Sequence, residues 1–306
     1  MDVLTDVLRS LHLRGTVYFE ADFRAPWGME MRAGAVSNFH LVQRGHCWLR
    51  MPGRAPAMLG PGDLVVLPHG DTHALAHAAD TAAKPAPEVI ASGTADADGQ
   101  PVFGGEGEAT TLLCGHFECD RSGAHPLLRS LPPVLRLGPA DRQEPAADWF
   151  LTITKLAAAE SAGKQPGSGA IVDRLAEVLL IQVIRAAEAQ GPWQTGFLAA
   201  LADPRLHEAL TAIHEQPAFP WTVRLLSEHA AMSRAAFASH FRERVGMGPI
   251  QYVTQWRMQQ ARHLLQATEQ STAQVAHAVG YSSEWAFAKA FKRTFGAGPG
   301  ALRRAE

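Results

Sequence analysis

FASHFRERVGMGP at 237–249 and FAKAFKRTFGAGP at 287–299 are two copies of one pattern, 50 residues apart at Phe237/Phe287, Phe241/Phe291, Gly246/Gly296 and Pro249/Pro299. Each copy reads as an amphipathic helix, with apolar residues at i, i+4 and i+8: Phe237, Phe241 and Val245, then Phe287, Phe291 and Phe295. Glycine ends each helix because it enters the left-handed C-terminal cap without a Cβ clash, and proline follows. Such a repeat defines two equivalent structural units in one chain.

A second short helix and a tight turn precede each copy: TVRLLSEHA with AMS, and TAQVAHAV with GYSS. Ser233 and Ser283 stand where an N-cap belongs. Helix, short turn and helix make a helix-turn-helix, so 205–306 is expected to be an all-α domain with two such motifs joined by a helix over 249–265. Residues 205–306 carry 12 Lys and Arg against 7 Asp and Glu, whereas the remaining 204 residues carry 16 against 23. A basic C-terminal third on an acidic body points to nucleic acid as partner. With the Phe stripes buried, the first recognition helix offers Arg234, Ala235, Ser239 and Arg242 outward, and the second offers Glu284, Trp285, Lys289 and Lys292. Arg242, Arg244, Lys292 and Arg293 suit phosphates, and Arg234, Ser239, Trp285 and Lys289 suit base edges. A solvated helix face is the alternative for any one of them.

Upstream the composition changes. FHLVQ, HCWLRM and DLVVLP are β-rich runs, punctuated by Arg44-Gly45 and by GPGD at 60–63. They predict an antiparallel barrel or sandwich over 15–76, with another strand at 110–118. Residues 77–109, rich in Ala, Pro, Gly and Asp, read as a long surface loop. Helical spacing returns at 144–160 and 170–189, and the apolar excess of IVDRLAEVLLIQVIRAA suits either a partner subunit or burial within the chain. The expected division is a β-rich and dimerising domain at 1–190, a linker at 191–204, and the DNA-binding domain at 205–306. The fold class is α+β.

Other classes are excluded. Charged residues are 19% and hydrophobic residues 46% of the 306, with no heptad or collagen period. No apolar run approaches the roughly 20 residues that span a membrane. MDVLTDVLRSLHLRG lacks the basic-then-apolar order of a secretory signal. Three cysteines, Cys47, Cys114 and Cys119, are too few for a disulfide framework, so a reducing, cytoplasmic location is expected.

Residues 205–304 resemble the DNA-binding domain of the AraC/XylS transcriptional regulators, through WTVRLLSEHAAMSRAAFASHFRERVG, RMQQARHLL and VAHAVGYSSEWAFAKAFKRTFGAGPGALRR. One departure is Ala231-Met232, at a turn where the family often has glycine. Residues 15–120 resemble the cupin-type sensor of a subgroup of that family, through FHLVQRGHCWLRM, LGPGDLVVLPHGDTHAL, LLCGHFE and AHPLLRSLP. The resemblance implies a cupin-like antiparallel β-barrel, a double-stranded operator, RNA polymerase as partner, a homodimer and usually an activator. It also implies control by a small effector, a metal or an oxidant. The first cupin motif is not intact, since only His40 stands ahead of the Arg44-Gly45 turn, and that counts against the alternative of a metal-dependent cupin enzyme.

Histidines crowd the strands at His40, His46, His69, His73 and His116, and Cys114 shares a strand face with His116 by the period of two. His40, His73, Cys114 and His116 are the candidate ligands for Zn²⁺ or another divalent transition metal. The alternative is a set of hydrogen-bonded histidines around an apolar thiol. Cys114, Cys47 or Cys119 could also sense oxidants, which needs an accessible thiolate.

Overall fold

The computed structural model describes residues 2–11, 14–97, 99–118, 125–139, 152–157, 159–160, 165–189 and 196–302. Cys119 and residues 144–151 of the expected helix lie outside them. The chain divides into two compact units, one of 13–119 with 131–190, the other of 1–12, 120–130 and 191–306.

The first unit is β-rich, as the resemblance to a cupin leads one to expect. Twelve strands form among its described residues: β1 (Arg14–Arg24), β2 (Gly28–Met31), β3 (Ser37–Arg44), β4 (Cys47–Arg50), β5 (Ala57–Leu59), β6 (Leu64–Leu67), β7 (His73–Ala76), β8 (Lys84–Pro85), β9 (Thr94–Ala95), β10 (Pro101–Gly104), β11 (Ala109–Glu118) and β12 (Leu135–Leu137). They make a seven-stranded sheet in the order β12-β6-β3-β11-β1-β10-β9 and a five-stranded sheet in the order β5-β4-β7-β2-β8. Pairing is antiparallel except between β1 and β10 and between β2 and β8. Phe23, Trp27, Met29, Val42, Leu75, Leu112 and Cys114 belong to the core cluster of this unit. At the GPGD turn Asp63 accepts the Gly60 N–H at 2.7 Å and is held by the Arg136 guanidinium at 2.8 and 3.3 Å, which ties β12 to the start of β6.

Residues 77–109 are not a loop. They hold β8, a short helix at Ala86–Ala91, β9 and β10, and bury Val89 and Phe103. The partners that order this stretch, β1 and β2, lie more than 50 residues upstream, so no local periodicity announces it. The helix Ser168–Ala189 follows the expected 170–189 and lays Val172, Ala176, Leu179, Leu180 and Val183 in the interior. Gly15 of β1 admits it closely: a Cβ there would stand 2.8 Å from the Ala176 Cβ. Ile171 and Val178 stay exposed.

The second unit is helical. Helix Arg234–Val245 is capped by Ser233 at its start and by Gly246 at φ 81°; helix Glu284–Phe295 repeats this with Ser283 and Gly296 at φ 77°. The supporting helices are Val223–His229 and Thr272–Ala278, the latter opened by a capping box of Ser271 and Gln274. The joining helix runs Pro249–Ala267. Phe237, Phe241, Phe287 and Phe291 are fully buried, as the stripes require. Met258, Ala261 and Leu265 of the joining helix meet Val275, Val279, Phe287 and Phe291 in one cluster. Between 191 and 204, expected as a linker, FLAALA forms the helix Phe197–Ala202 with Phe197 through Leu201 buried.

The N-terminal helix Val3–Ser10 and residues 125–130 belong to this unit as well. Leu127 N–H donates to His125 Nδ1 at 3.2 Å, which leaves Nε2 as the protonated nitrogen. That N–H donates to Tyr252 Oη at 3.1 Å, and the Tyr252 hydroxyl in turn donates to His214 Nε2 at 2.7 Å. His214 Nδ1–H then faces the Asp6 carboxylate at 3.7 Å. Burial holds His125 well below the ordinary imidazole value, with His214 adding to the effect, and lowers His214 to about 3.

Candidate DNA interface and sensor site

The recognition helices carry exposed faces opposite their Phe stripes. Arg234, Ala235, Ser239 and Arg242 are exposed on the first, and Glu284, Trp285, Lys289, Lys292 and Arg293 on the second. Trp285 is 73% exposed, and the Lys289 ammonium lies over its ring, 5.1 Å from the centroid. So exposed at the start of the second recognition helix, the Trp285 ring is accessible to a partner. Basic residues fall in the last turn of each helix, Arg242 and Arg244, then Lys292 and Arg293, where they also favour the negative end of the helix dipole.

The two turns differ. Met232 N–H bonds the Ser227 carbonyl and Tyr281 N–H bonds the Ala276 carbonyl, both at 2.9 Å, so these positions correspond. The spacing there is 49, not 50, and the second turn holds one extra residue before its N-cap serine. Ala231 therefore corresponds to Gly280; both have positive φ, 49° and 85°, and Ala231 is the one non-glycine with positive φ among the described residues.

Residues not singled out by sequence hold the interface in place. Arg257 donates to the Pro217 and Phe219 carbonyls at 2.7 and 2.8 Å, and approaches Gly280 O at 3.5 Å. Asp203 caps the helix Pro204–Glu215 and takes the His240 Nε2–H at 2.6 Å, fastening the first recognition helix to it. Burial works to raise the Asp203 pKa, but the His240 bond and two backbone N–H donors leave it below the ordinary carboxylate value. The only sequence signal was Asp-Pro before a helix.

In the cupin unit, Cys114 and His40 are register partners on β11 and β3, and His73 opens β7 in the other sheet. Gly70, at φ 68°, turns the chain ahead of it. The three form a chain: Cys114 Sγ lies 2.9 Å from His40 Nδ1, and His40 Nε2 lies 2.9 Å from His73 Nε2. The Asp71 carbonyl, 2.8 Å from His73 Nδ1, can only accept. His73 therefore carries its proton on Nδ1, His40 donates Nε2–H to His73, and Cys114 donates S–H to His40 Nδ1. All three are neutral. Burial, then the neighbouring His73, holds His40 well below the ordinary imidazole value; burial lowers His73 too. Burial pushes the Cys114 thiol well up, and Cys47 adds to the effect.

The fourth expected ligand stands apart. His116, paired across to Asn38, stacks on Tyr18 with centroids 4.8 Å apart, and its Nε2 lies 3.2 Å from Glu118. His69 donates to the Leu131 carbonyl, and His46 is exposed. Among the described residues no three His, Cys, Asp or Glu side chains converge on one metal position. Of the four expected ligands, His40 and His73 present two facing nitrogens, the Cys114 sulfur lies on the Nδ1 side of the His40 ring, and His116 stands away from all three. Cys114 is 2% exposed and Cys47 fully buried, its thiol pushed up to about 12 by burial and by Asp63. Neither is an accessible thiolate in this structure.

Residues 2–189 match a family described as Cupin, and 226–305 match one described as Helix-turn-helix domain. A putative AraC-like transcription regulator of Streptomyces antibioticus is 34% identical over 99% of this chain and 99% of its own. The chain belongs to the AraC family of transcriptional regulators. This regulator is also similar to the RCS-specific HTH-type transcriptional activator RclR of Escherichia coli, 28% identical over 99% of this chain and 97% of that one. Among solved structures it is similar to the DNA-binding domain of AdpA in complex with a target DNA, 33% identical, covering 34% of this chain and 92% of that one, with a TM-score of 0.32. No helix among the described residues of the regulator is long and apolar enough to cross a membrane.

Proposed function

We propose that the protein is a sequence-specific, cytoplasmic regulator that binds a double-stranded operator through both recognition helices. It acts as a homodimer, and its output is set by chemistry at Cys114, His40 and His73. The observation that carries the DNA reading is the pair of capped helices with buried Phe stripes and outward Arg234, Ser239, Trp285 and Lys289. Arg242, Lys292 and Arg293 serve the phosphates, which supply affinity without sequence information. A regulator is favoured over a metal-dependent enzyme because the full-length relatives are regulators.

For the sensor, the neutral, continuously hydrogen-bonded chain from Cys114 to the Asp71 carbonyl supports a device that breaks when one member changes. Where local opening lets hypochlorous acid reach the Cys114 thiol, oxidation to a sulfenic acid with release of HCl replaces the S–H donor with a longer S–O–H that no longer fits against His40, and a metal on the facing Nε2 atoms would displace the proton between them. The RCS-specific relative supports the oxidant reading.

The test is an operator selected from random DNA by the wild-type protein. Lys289→Ala and Arg234→Ala should each weaken binding by about 1–3 kcal/mol with the fold intact. Both variants binding like wild type would remove these residues from the interface. Cys114→Ser should abolish any change in operator binding on treatment with hypochlorous acid; an unchanged response in that variant would move the sensor elsewhere.

A further inference from the structure

Strand β11, which carries Cys114, leads in sequence to residues 125–130. These lie within the 2–189 cupin match, yet they pack in the helical unit with 191–306. Leu127 of the short helix Pro126–Ser130 is fully buried there. Ser130, the last residue of that helix, donates from Oγ to the Leu127 carbonyl at 3.0 Å and accepts the Phe197 N–H at 3.1 Å. That N–H is one of the donors that the start of helix Phe197–Ala202 cannot satisfy within itself. The preceding residue, Gly196, donates its own N–H to the Arg244 carbonyl at 2.8 Å, in the last turn of the first recognition helix. Carbonyls in a last turn lack an intrahelical partner, so this bond fixes the helix end from outside. Gly196 has no room for a side chain: its φ is 98°, and a Cβ would stand 2.7 Å from the Ser130 Cβ. A line of rings runs beside these bonds. His125 meets Phe197 edge-on at 4.5 Å between centroids, Phe197 stacks on Tyr252 at 6.0 Å, and Tyr252 meets Phe241 of the recognition helix at 5.8 Å. The second recognition helix is held differently, in a core cluster drawn from 258–295.

From these contacts we infer that Ser130 and Gly196 are positioning residues for the first recognition helix, so that a segment outside the helix-turn-helix match sets how that helix meets the operator. Ser130 holds the start of Phe197–Ala202, and Gly196 holds the end of Arg234–Val245. The missing side chain of the glycine lets the two holds lie against each other. A shift of residues 125–130 therefore changes the angle at which Arg234, Ala235 and Ser239 face the bases. Hydrogen bonds weaken steeply as their angle closes, so base readout depends on that angle. The second helix, with its own core, keeps its reading. The inference rests on the DNA-binding reading and takes nothing from the sensor chemistry.

The experiment uses full-length protein and the operator selected from random DNA, with affinities measured for that operator and for each of its single-base variants. Arg234→Ala and Lys289→Ala mark the base pairs read by the first and second helices, since each flattens discrimination at its own positions. Ser130→Ala, which leaves the backbone unstrained, should lower discrimination at the Arg234-marked pairs by at least about threefold, within the range for one lost hydrogen bond. It should leave the Lys289-marked pairs unchanged. Gly196→Ala should act in the same direction and more strongly. Ser130→Thr keeps the acceptor and should keep the wild-type profile. A role in stability alone would reduce the amount of competent protein and leave both sets of base preferences as they are. The inference is overturned if Ser130→Ala leaves the Arg234-marked pairs unchanged, if both sets change alike, or if Ser130→Thr is no better than Ser130→Ala. An Arg234→Ala variant that marks no base pair would instead refute the DNA reading of the first helix, and the inference with it.

Discussion

At Ala231 the backbone holds a left-handed conformation that costs an L-residue with a Cβ roughly 1 kcal/mol. Ala231→Gly should relieve this while adding freedom to the unfolded chain, so a net gain of up to about 1 kcal/mol is expected. Urea unfolding would measure it, and a loss of stability would show that the turn does not strain the residue. Cys114 makes the opposite kind of demand. Cys114→Ala leaves His40 Nδ1 a buried acceptor without a donor and opens space in the core, for a cost of about 1–3 kcal/mol. Cys114→Ser should recover part of that loss, because a hydroxyl can still donate to the ring. A serine variant no more stable than the alanine one would mean that the thiol contributes only packing.

Among the elements, the 125–130 segment, the joining helix and the helix Pro204–Glu215 share the His125–Tyr252–His214 chain, which Asp6 of the Val3–Ser10 helix faces, and its protonation sets a pH limit. His214 titrates near 3 in the fold and near 6.5 when unfolded, so the unfolded state binds more protons between those values. Stability is therefore fully present above about pH 7 and falls as pH drops below 6.5. By pH 5 the loss from His214 alone is about 2 kcal/mol, and His125 shifts in the same direction. His214→Gln should flatten the acid limb of the thermal midpoint against pH, even if it lowers the midpoint at pH 7. Asp203, depressed in the fold, acts lower: its stabilisation holds above about pH 4 and disappears as pH falls through the folded value.

Legibility varied with range in sequence. The repeat was readable because Phe237, Phe241 and Gly246 sit within ten residues and recur. The short apolar runs gave strands for the same reason. Val89 and Phe103, single apolar residues in an Ala-Pro-Gly stretch, gave no signal, since their burial comes from distant strands. His40 and Cys114 read as strand residues, but the order of protons along their chain is set by the Asp71 carbonyl, in the turn just ahead of β7. His116 shares a face with Cys114 by periodicity, yet two residues of strand put it about 7 Å further along. His125, Tyr252 and His214 share no spacing, so nothing local joined them.

At the scale of the whole molecule, charge and apolar surface each give an expectation. Replacing Arg242, Lys292 or Arg293 with Ala should weaken specific and unspecific DNA alike, and each should lower the salt slope of binding by about one. An unchanged slope would take that cation off the phosphates. Ile171 and Val178 stand two helical turns apart on one exposed stripe. Ile171→Asp with Val178→Asp should shift the proposed dimer to monomer in sedimentation while leaving the circular dichroism spectrum unchanged; a dimer that persists would place the contact elsewhere.

The unequal turns, with one residue more before Ser283 than before Ser233, mean that the two motifs are cousins rather than twins. They also differ in what they present: small side chains beside Arg234, against the Trp285–Lys289 pair. A two-fold dimer of single motifs reads the same from either end of its palindrome. One copy of this chain, bound alone, reads an arrow: its site has a head and a tail, and inverting that site relative to a promoter makes a different instruction from moving it.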